Sequence, residues 1–419
     1  MSFIALLLYL FCLLIRPQEW MPGLQGLRVI NGLALLTAYL LFIERLGFRK
    51  YDFVKVPQNY LMVGFFGSIL MSHIVHTYLG GLMQAFSAFL VNFVLFFLVM
   101  NAVNTKQKYK ITIWFFVILV FALVHQGMYQ VINEFGWAGQ PLTYDYLTGE
   151  FRINWIGIFN DPNDLALIFV VAIGMIIPFI FGRASFIQRI MSCVFFGYLI
   201  YGVYLTNSRG GLLALMATGL FYFYKKTGKW IWGVIIGGVF VMAVLAYGPS
   251  RIGNISTQEA SAYGRIHAWY EGVQLIKSNP IFGVGYDMFL EDLKKTAHNS
   301  FILAAAELGL VGLFFWMSLI YTSYKGLSLI QEKAGMQLRP YARGLQSGLI
   351  GFCASAFFLS RTYVIVPYII FALAGSLMHV AKKEDSSLDF SYKKKDVRNT
   401  ILWCLCVLGA AYATVKVGI

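Results

Sequence analysis

Apolar stretches of about 17 to 25 residues, each long enough to cross a membrane as an α-helix, recur along almost the whole chain. Short polar segments separate them. The strict alternation of polar and apolar residues that marks the strands of a membrane β-barrel does not recur. The pattern therefore predicts an all-α fold, a polytopic bundle of transmembrane helices that forms a single integral membrane domain over residues 1–419.

The predicted spans are separated by loops of unequal length. They lie near residues 2–15, 29–44, 58–78, 85–103, 111–132, 163–182, 187–206, 210–224, 230–247, 299–324, 344–359, 362–380 and 400–416. The first span is short, but it lacks the basic start and the small-residue cleavage site of a signal peptide, so we interpret it as an anchor. Because the seventh and eighth spans nearly touch, the predicted count is twelve or thirteen.

Three polar segments are longer than simple turns, at residues 133–162, 248–298 and 381–398. Long loops in compact proteins are usually functional. We therefore expect function in the first two segments. The third is rich in lysine and aspartate, and we interpret it as a solvated cytoplasmic linker.

Composition and charge add an orientation to this picture. Hydrophobic residues make up 59% of the chain and charged residues 12%, whereas soluble domains carry about 25% charged residues. Of the 33 lysines and arginines, 22 fall in six loops on one side of the predicted bundle. Since cytoplasmic loops hold the excess of basic residues, the amino terminus is predicted to be cytoplasmic. The net charge of +14 then reflects orientation and attraction to anionic membrane lipids, not nucleic-acid binding.

Three arginines fall on the outer side, which is poor in basic residues. Arg209 lies between the seventh and eighth spans, and Arg361 lies between two later spans. Arg265 lies in loop 248–298, within residues 262–277, which are predicted to form a helix that ends before Pro280. A charge beside the bilayer is costly and points to function, and a planar guanidinium suits phosphate oxygens. We therefore predict a site for a lipid-linked phosphate or diphosphate. The alternatives are a helix cap or headgroup contact for Arg209, a solvated charge for Arg265 and an interfacial anchor for Arg361.

Loop 248–298 ends at His298, just before an apolar span. A neutral imidazole can take a proton from an attacking hydroxyl near neutral pH, so His298 is a candidate general base; the alternative is a structural, hydrogen-bonded histidine. Glu307 lies about 13 Å further along the predicted helix and is interpreted as structural support. Gly283 and Gly285 predict a turn that approaches another backbone closely. The histidines without a comparable setting are His73, His76, His125 and His267.

A polar cluster, NDPND at residues 160–164, lies at the end of the outer loop 133–162. Asp161, Pro162 and Asn163 predict a helix start with a polar cap. In the alternative, the amides of Asn160 and Asn163 bind sugar hydroxyls. No spacing in the chain matches a metal site, a Walker loop or a dinucleotide fingerprint. The five cysteines lie in or beside apolar spans, which indicates neither a disulfide framework nor a zinc site.

Several of these segments together resemble a known family. They read NSRGGLLAL, GIFNDPNDLAL, GRIHAW, NPIFGVGYDMF and AHNSFILAAAELGLVG. Taken together they resemble the signature of the O-antigen ligase and O-antigen polymerase superfamily. The resemblance covers about residues 155–315, and the remaining spans resemble the family only in general topology.

The resemblance implies a glycosyltransferase of the GT-C type in the bacterial inner membrane, with its active site facing the periplasm. Members move a glycan from an undecaprenyl diphosphate carrier to a hydroxyl acceptor with inversion, and they need no nucleotide sugar, cofactor or metal ion. By this resemblance Arg209 and Arg265 hold the diphosphate, and His298 activates or orients the acceptor. Tyr286 and Asn299 lie within the resembling motifs and are further substrate-binding candidates, as is Arg361.

The acceptor and the reaction class leave alternatives open. Ligases transfer glycan to lipid A core, polymerases to a second carrier-linked repeat, and related enzymes to protein. We favour a ligase of lipopolysaccharide biosynthesis, because the arginines and histidine form a set familiar from ligases; an O-antigen or exopolysaccharide polymerase is the alternative. A transporter or flippase of lipid-linked sugars would need polar groups near mid-bilayer, whereas these gather at one face.

Overall fold

A computed structural model describes residues 1–47, 53–146, 149–229, 231, 260–293 and 296–418, which are mostly helical. The helices are α1 (Ser2–Leu14), α2 (Pro17–Trp20), α3 (Val29–Gly47), α4 (Pro57–Ile74), α5 (Leu79–Ala102), α6 (Lys106–Asn133), α7 (Pro162–Phe181), α8 (Phe186–Leu205), α9 (Arg209–Thr227), α10 (Ala260–Ser278), α11 (Met288–Leu293), α12 (Ser300–Lys333), α13 (Arg339–Ala356), α14 (Ile365–Glu384) and α15 (Lys394–Gly418). Between α6 and α7 lie the antiparallel strands β1 (Thr143–Asp145) and β2 (Glu150–Arg152) and a 3₁₀ turn (Gly157–Phe159). The predicted all-α, polytopic class is confirmed.

Eight of the described helices are long and apolar enough to cross a membrane. They are α3, α5, α6, α7, α8, α12, α14 and α15. Helices α1, α4, α9 and α13 are shorter or less apolar, and each coincides with a further predicted span. Apart from residue 231, the predicted span 230–247 lies outside the described residues, as does the first part of the loop that follows it.

The centre of the bundle is the contact between α7 and α13. Almost every side chain of α7 is buried. A Cβ atom on Gly174 of α7 would overlap the backbone of Gly348 in α13, and one on Gly344 would overlap the carbonyl of Met175. Small residues let two membrane helices pack this closely. The contact fixes both helices relative to each other, and with them the loops at their ends.

Helix α12 is interrupted at Gly309, where the backbone leaves the helical conformation (φ 65°, ψ −168°). Residues 280–285, the inserted segment, bind the backbone at this break. Before the break, the amide of Val284 donates to the carbonyl of Ala306 at 2.9 Å. After the break, the amide of Leu310 donates to the carbonyl of Pro280, the first residue of the inserted segment, at 2.8 Å. Because backbone groups inside a bilayer must be satisfied within the protein, the inserted segment replaces the hydrogen bonds that the break removes.

Two glycines permit this insertion, and their replacement should destabilise the protein. A Cβ atom on Gly283 would overlap the backbone of Glu307, and one on Gly309 would overlap the backbone of Ile281. We expect Gly283→Ala and Gly309→Ala each to cost about 1 to 3 kcal/mol and to lower the thermal unfolding temperature in detergent. Gly219→Ala is the control, since its Cβ would meet nothing within 4 Å. Equal unfolding temperatures for all three variants would contradict the insertion.

The polar segment near the carboxyl terminus is more ordered than the predicted linker 381–398. Helix α14 continues to Glu384 and α15 begins at Lys394, so the connection between them is shorter than predicted. Within it Leu388 is buried, and the Tyr392 hydroxyl is 3.0 Å from the Ser318 hydroxyl of α12. The segment therefore packs against the bundle because it carries apolar and aromatic residues among its charges.

Candidate functional site

The starts of α7, α9 and α12 lie at one end of the bundle and are joined by side-chain contacts. Ser208, before α9, donates to the Oδ1 atom of Asn163 in α7 at 2.7 Å. Arg361, in the loop between α13 and α14, pairs with Asp161 at 3.2 Å. Its backbone amide donates to the hydroxyl of Ser300 in α12 at 2.7 Å. These contacts define the candidate site.

Arg209 is the first residue of α9 and lies just after α8, in agreement with its predicted position between the seventh and eighth spans. Ser208 caps this helix by accepting a hydrogen bond from the amide of Gly211 at 3.1 Å. Asn207 before it has a positive φ of 49°, which makes the turn from α8 tight. Unpaired amides at a helix start and a guanidinium both favour an anion. The start of α9 is therefore electrostatically suited to phosphate.

Asn163, in the first turn of α7, uses both ends of its side-chain amide in hydrogen bonds within the protein. Its Oδ1 atom accepts hydrogen bonds from Ser208 at 2.7 Å and from Arg152 of β2 at 3.0 Å. Its Nδ2 atom donates to Asp161 at 2.8 Å, and Asp161 in turn caps α7, which confirms the predicted helix start. Asn160 lies exposed at the end of the 3₁₀ turn. The structure therefore engages Asn163 within the protein and leaves Asn160 accessible.

Arg361 pairs with both acidic residues at the start of α7. Its Nε atom donates to Asp164, and its Nη2 atom donates to Asp161 at 3.2 Å. The next residue, Thr362, donates through its hydroxyl to the carbonyl of Ser300 at 2.7 Å. The loop that carries Arg361 thus binds α7 through the Arg361 side chain, and it binds α12 through the Arg361 backbone amide and the Thr362 hydroxyl.

His298 lies exposed two residues before α12 and has a positive φ of 49°. A non-glycine residue rarely adopts this left-handed conformation, and such strain concentrates at functional sites. The following residue, Asn299, is buried and caps α12 by accepting hydrogen bonds from the amides of Phe301 and Ile302 at 2.9 and 3.1 Å. This cap fixes the backbone that presents the imidazole.

The electrostatic environment of His298 keeps the imidazole neutral. Partial burial lowers the pKa of His298 from its ordinary value of 6.5, and the positive charges of Arg265 and Arg361 lower it further. The carboxylate of Asp161 acts in the opposite direction and only in part offsets them. At neutral pH the imidazole can therefore accept a proton. The structure thus brings Arg265, Arg361 and His298 together.

Helix α10, which carries Arg265, is anchored against α12. The predicted helix around Arg265 is confirmed, and Trp269, one turn further along, is buried. The indole of Trp269 lies edge-on to Phe357, with ring centroids 5.3 Å apart. A Cβ atom on Gly272 would overlap the side chain of Ile302 in α12, so the two helices lie in close contact. This packing holds Arg265 at the site.

Two histidines that no sequence motif marks as candidates, His73 and His76, contact the glycine turn. The Nε2 atom of His73 lies 3.1 Å from the carbonyl of Tyr286, and that of His76 lies 2.8 Å from the carbonyl of Gly283. Ser72 accepts a hydrogen bond from the amide of Tyr286 at 3.1 Å. The end of α4 therefore supports the turn that contains the candidate Tyr286. Sequence separations of more than 200 residues left no local signal for these contacts.

Glu307 is buried in α12 and contacts the backbone beneath the site. Its Oε1 atom accepts a hydrogen bond from the amide of Phe289 at 3.2 Å, which fixes the start of α11. Just before α11, the ring of Tyr286 packs against Tyr363 with centroids 4.6 Å apart. Burial, with the nearby charges of Asp287 and Glu307, raises the pKa of Tyr286. Its phenol therefore stays neutral and can donate a hydrogen bond.

Together the fold and the site define a multi-pass helical membrane protein with arginines, carboxylates and a neutral histidine at one end of its bundle. Residues 194–317, which include Arg209, Arg265 and His298, match the family model described as O-antigen ligase. The resemblance of this segment to the O-antigen ligase and polymerase superfamily is thereby confirmed. Among the described residues, no group of three or more His, Cys, Asp or Glu side chains could hold a metal ion.

One curated relative matches a smaller part of the chain. The chain is 27% identical over 110 residues to the exopolysaccharide production protein ExoQ of Rhizobium meliloti (strain 1021). The match covers 22% of this chain and 25% of that protein. The aligned part thus spans about a quarter of the relative's length, and it supports the same superfamily.

Proposed function

We propose that the protein is an inverting glycosyltransferase that moves a glycan from an undecaprenyl diphosphate carrier to a hydroxyl acceptor. The reaction takes place at the periplasmic face of the bacterial inner membrane, with the amino terminus in the cytoplasm. The main support is the neutral His298 beside the cations Arg265 and Arg361. The family match supports glycan transfer of the O-antigen ligase or polymerase type.

In the proposed reaction the acceptor hydroxyl attacks the anomeric carbon of the donor glycan. His298 takes the hydroxyl proton, a new bond forms between the acceptor oxygen and the anomeric carbon, and the bond from that carbon to the diphosphate oxygen breaks. The diphosphate leaves with the electron pair. Arg209 and Arg265 stabilise the charge that develops on it, which lowers the barrier because the charge is greater in the transition state than in the ground state.

Other candidate residues complete the substrate contacts of this proposal. The phenol of Tyr286 and the exposed amide of Asn160 are suited to sugar hydroxyls. Asn299 acts chiefly as the cap that fixes the backbone of His298. The reaction needs no nucleotide sugar, cofactor or metal ion, because the arginines supply the positive charge that the leaving diphosphate requires.

Lipid A core is the acceptor that we favour, which makes the protein an O-antigen ligase. A specific observation favours a second candidate, a polymerase that joins carrier-linked repeats, because the relative ExoQ is named for exopolysaccharide production. A transporter or flippase is the candidate of a different class. It is disfavoured because the joined polar residues lie at helix starts and not midway along the helices.

The acceptor can be identified with purified protein in detergent and without a membrane gradient. The protein is incubated with an undecaprenyl diphosphate-linked glycan and, separately, lipid A core, a second carrier-linked repeat or a protein. We expect glycan to appear on lipid A core. Product only with the second repeat would identify the protein as a polymerase. No product with any acceptor would contradict the proposal that the protein is a glycosyltransferase.

A further inference from the structure

The loop that carries Arg361 is fixed to the start of the helix that follows His298. The backbone amide of Arg361 donates to the hydroxyl of Ser300 at 2.7 Å. That hydroxyl donates in turn to the carbonyl of Leu359 at 2.6 Å, and Thr362 donates to the carbonyl of Ser300 at 2.7 Å. Three hydrogen bonds thus converge on a residue two positions after His298.

The side chain of Arg361 is connected to the start of α9 through a series of polar contacts. It pairs with Asp161, which accepts a hydrogen bond from the Nδ2 atom of Asn163 at 2.8 Å. Asn163 accepts a hydrogen bond from Ser208, the residue before Arg209, at 2.7 Å. A continuous set of polar contacts therefore connects Arg361 to Ser208, the residue before α9.

The environment of Arg361 argues against direct contact with a diphosphate. Its guanidinium donates to Asp164, Asp161 and the carbonyl of Ser360. All three nitrogens of the guanidinium are therefore engaged with protein acceptors, which leaves fewer donors for a diphosphate. The side chain of Asp164 is only 11% exposed and that of Arg361 20%, which shields their pairing from competing solvent.

We propose that Arg361 is a positioning residue that holds the start of α12, with His298, against the starts of α7 and α9, with Arg209. It acts through Asp161, Asp164 and Ser300. This inference rests on the proposed transferase function. It assigns to Arg361 a role different from the substrate contact that its sequence position predicts.

The first test separates positioning from binding by kinetics. We expect Arg361→Gln to lower kcat for glycan transfer by about 10- to 100-fold, because misplacement of a reacting group by about 1 Å costs up to this much. The KM for the carrier-linked donor should stay within about twofold of the wild-type value. Arg361→Lys, which keeps the charge but loses the planar fork, should recover only part of kcat. Arg28→Gln, an exposed arginine between α2 and α3, is the control.

The second test uses a property that a merely structural residue would not change. Among the residues that the structure describes, the charged groups that act on His298 are Arg265 on α10, Arg361 on the loop and Asp161 before α7. Removing the positive charge in Arg361→Gln should raise the pKa of His298 and move the acidic limb of kcat/KM to higher pH. Removing the negative charge in Asp161→Asn should move that limb to lower pH. Asp161 is 40% exposed and its replacement is nearly isosteric, so this variant should fold.

Opposite displacements of the two acidic limbs, with kcat reduced and donor KM retained, support the proposal. A rise in donor KM with kcat unchanged would show that Arg361 binds diphosphate, and unchanged pH profiles for both variants would show that the cluster does not act on His298. Either result overturns the proposal. If the wild-type protein transfers no glycan to any acceptor, the proposed function fails instead, and the two failures are distinguishable.

Discussion

Replacement of Arg265 by alanine is expected to abolish detectable glycan transfer. In the proposed reaction this guanidinium stabilises the charge that appears on the departing diphosphate. The loss of one such donor costs about 10²- to 10³-fold in kcat. The measurement is the initial rate of product formation from a carrier-linked glycan with purified protein.

The Arg265→Ala result depends on an intact fold, and the structure gives reason to expect one. Helix α10 is packed against the bundle at Trp269 and Gly272, and the substitution leaves both residues in place. The variant should therefore insert and unfold at the same temperature as the wild type, and Arg28→Gln serves as its matched control. Full transfer activity in Arg265→Ala would reject the assignment.

Replacement of His298 by alanine is expected to cause the second large loss of transfer activity. General-base catalysis typically contributes about 10²- to 10⁴-fold, so kcat should fall by that range at neutral pH. His125→Ala is the matched control, because His125 is exposed and its hydrogen bond is to the Tyr198 hydroxyl at 3.0 Å, away from the candidate site residues. Undiminished transfer by His298→Ala would reject general-base catalysis.

The pH profile of the wild-type protein gives the same assignment an independent check. The pKa of His298 is lowered from 6.5 by burial and by Arg265 and Arg361. A base must be deprotonated to act, and a lowered pKa keeps it so as the pH falls. Transfer should therefore persist through pH 6.5 and decline only below it. An acidic limb of kcat/KM centred at or above 6.5 would contradict the described environment.

The sequence predicted the membrane helices well, because the length of an apolar stretch is a local property that a bilayer imposes. Local chemistry also predicted the cap at Asp161, the helix around Arg265 and the position of Arg209 at the start of α9. The roles of Arg209, Arg265 and His298 in transfer stay predictions.

Contacts between distant parts of the chain could not be predicted in the same way. Arg361 and Asp161 are 200 residues apart, and nothing near either residue marks the other as its partner. The break at Gly309 was also hidden, since one glycine in an apolar run is compatible with a continuous helix. The supporting roles of His73 and His76 depend on the packing of α4, which no local pattern encodes.

The break in α12 constrains how parts of related enzymes can be exchanged. Residues 280–285 and 306–311 share four backbone hydrogen bonds whose register is set by chain length. A chimera that takes one of these stretches from another protein with a single residue added or removed would misalign all four. A chimera designed to change the acceptor should therefore take both stretches from the same protein, with its junctions outside residues 280–311.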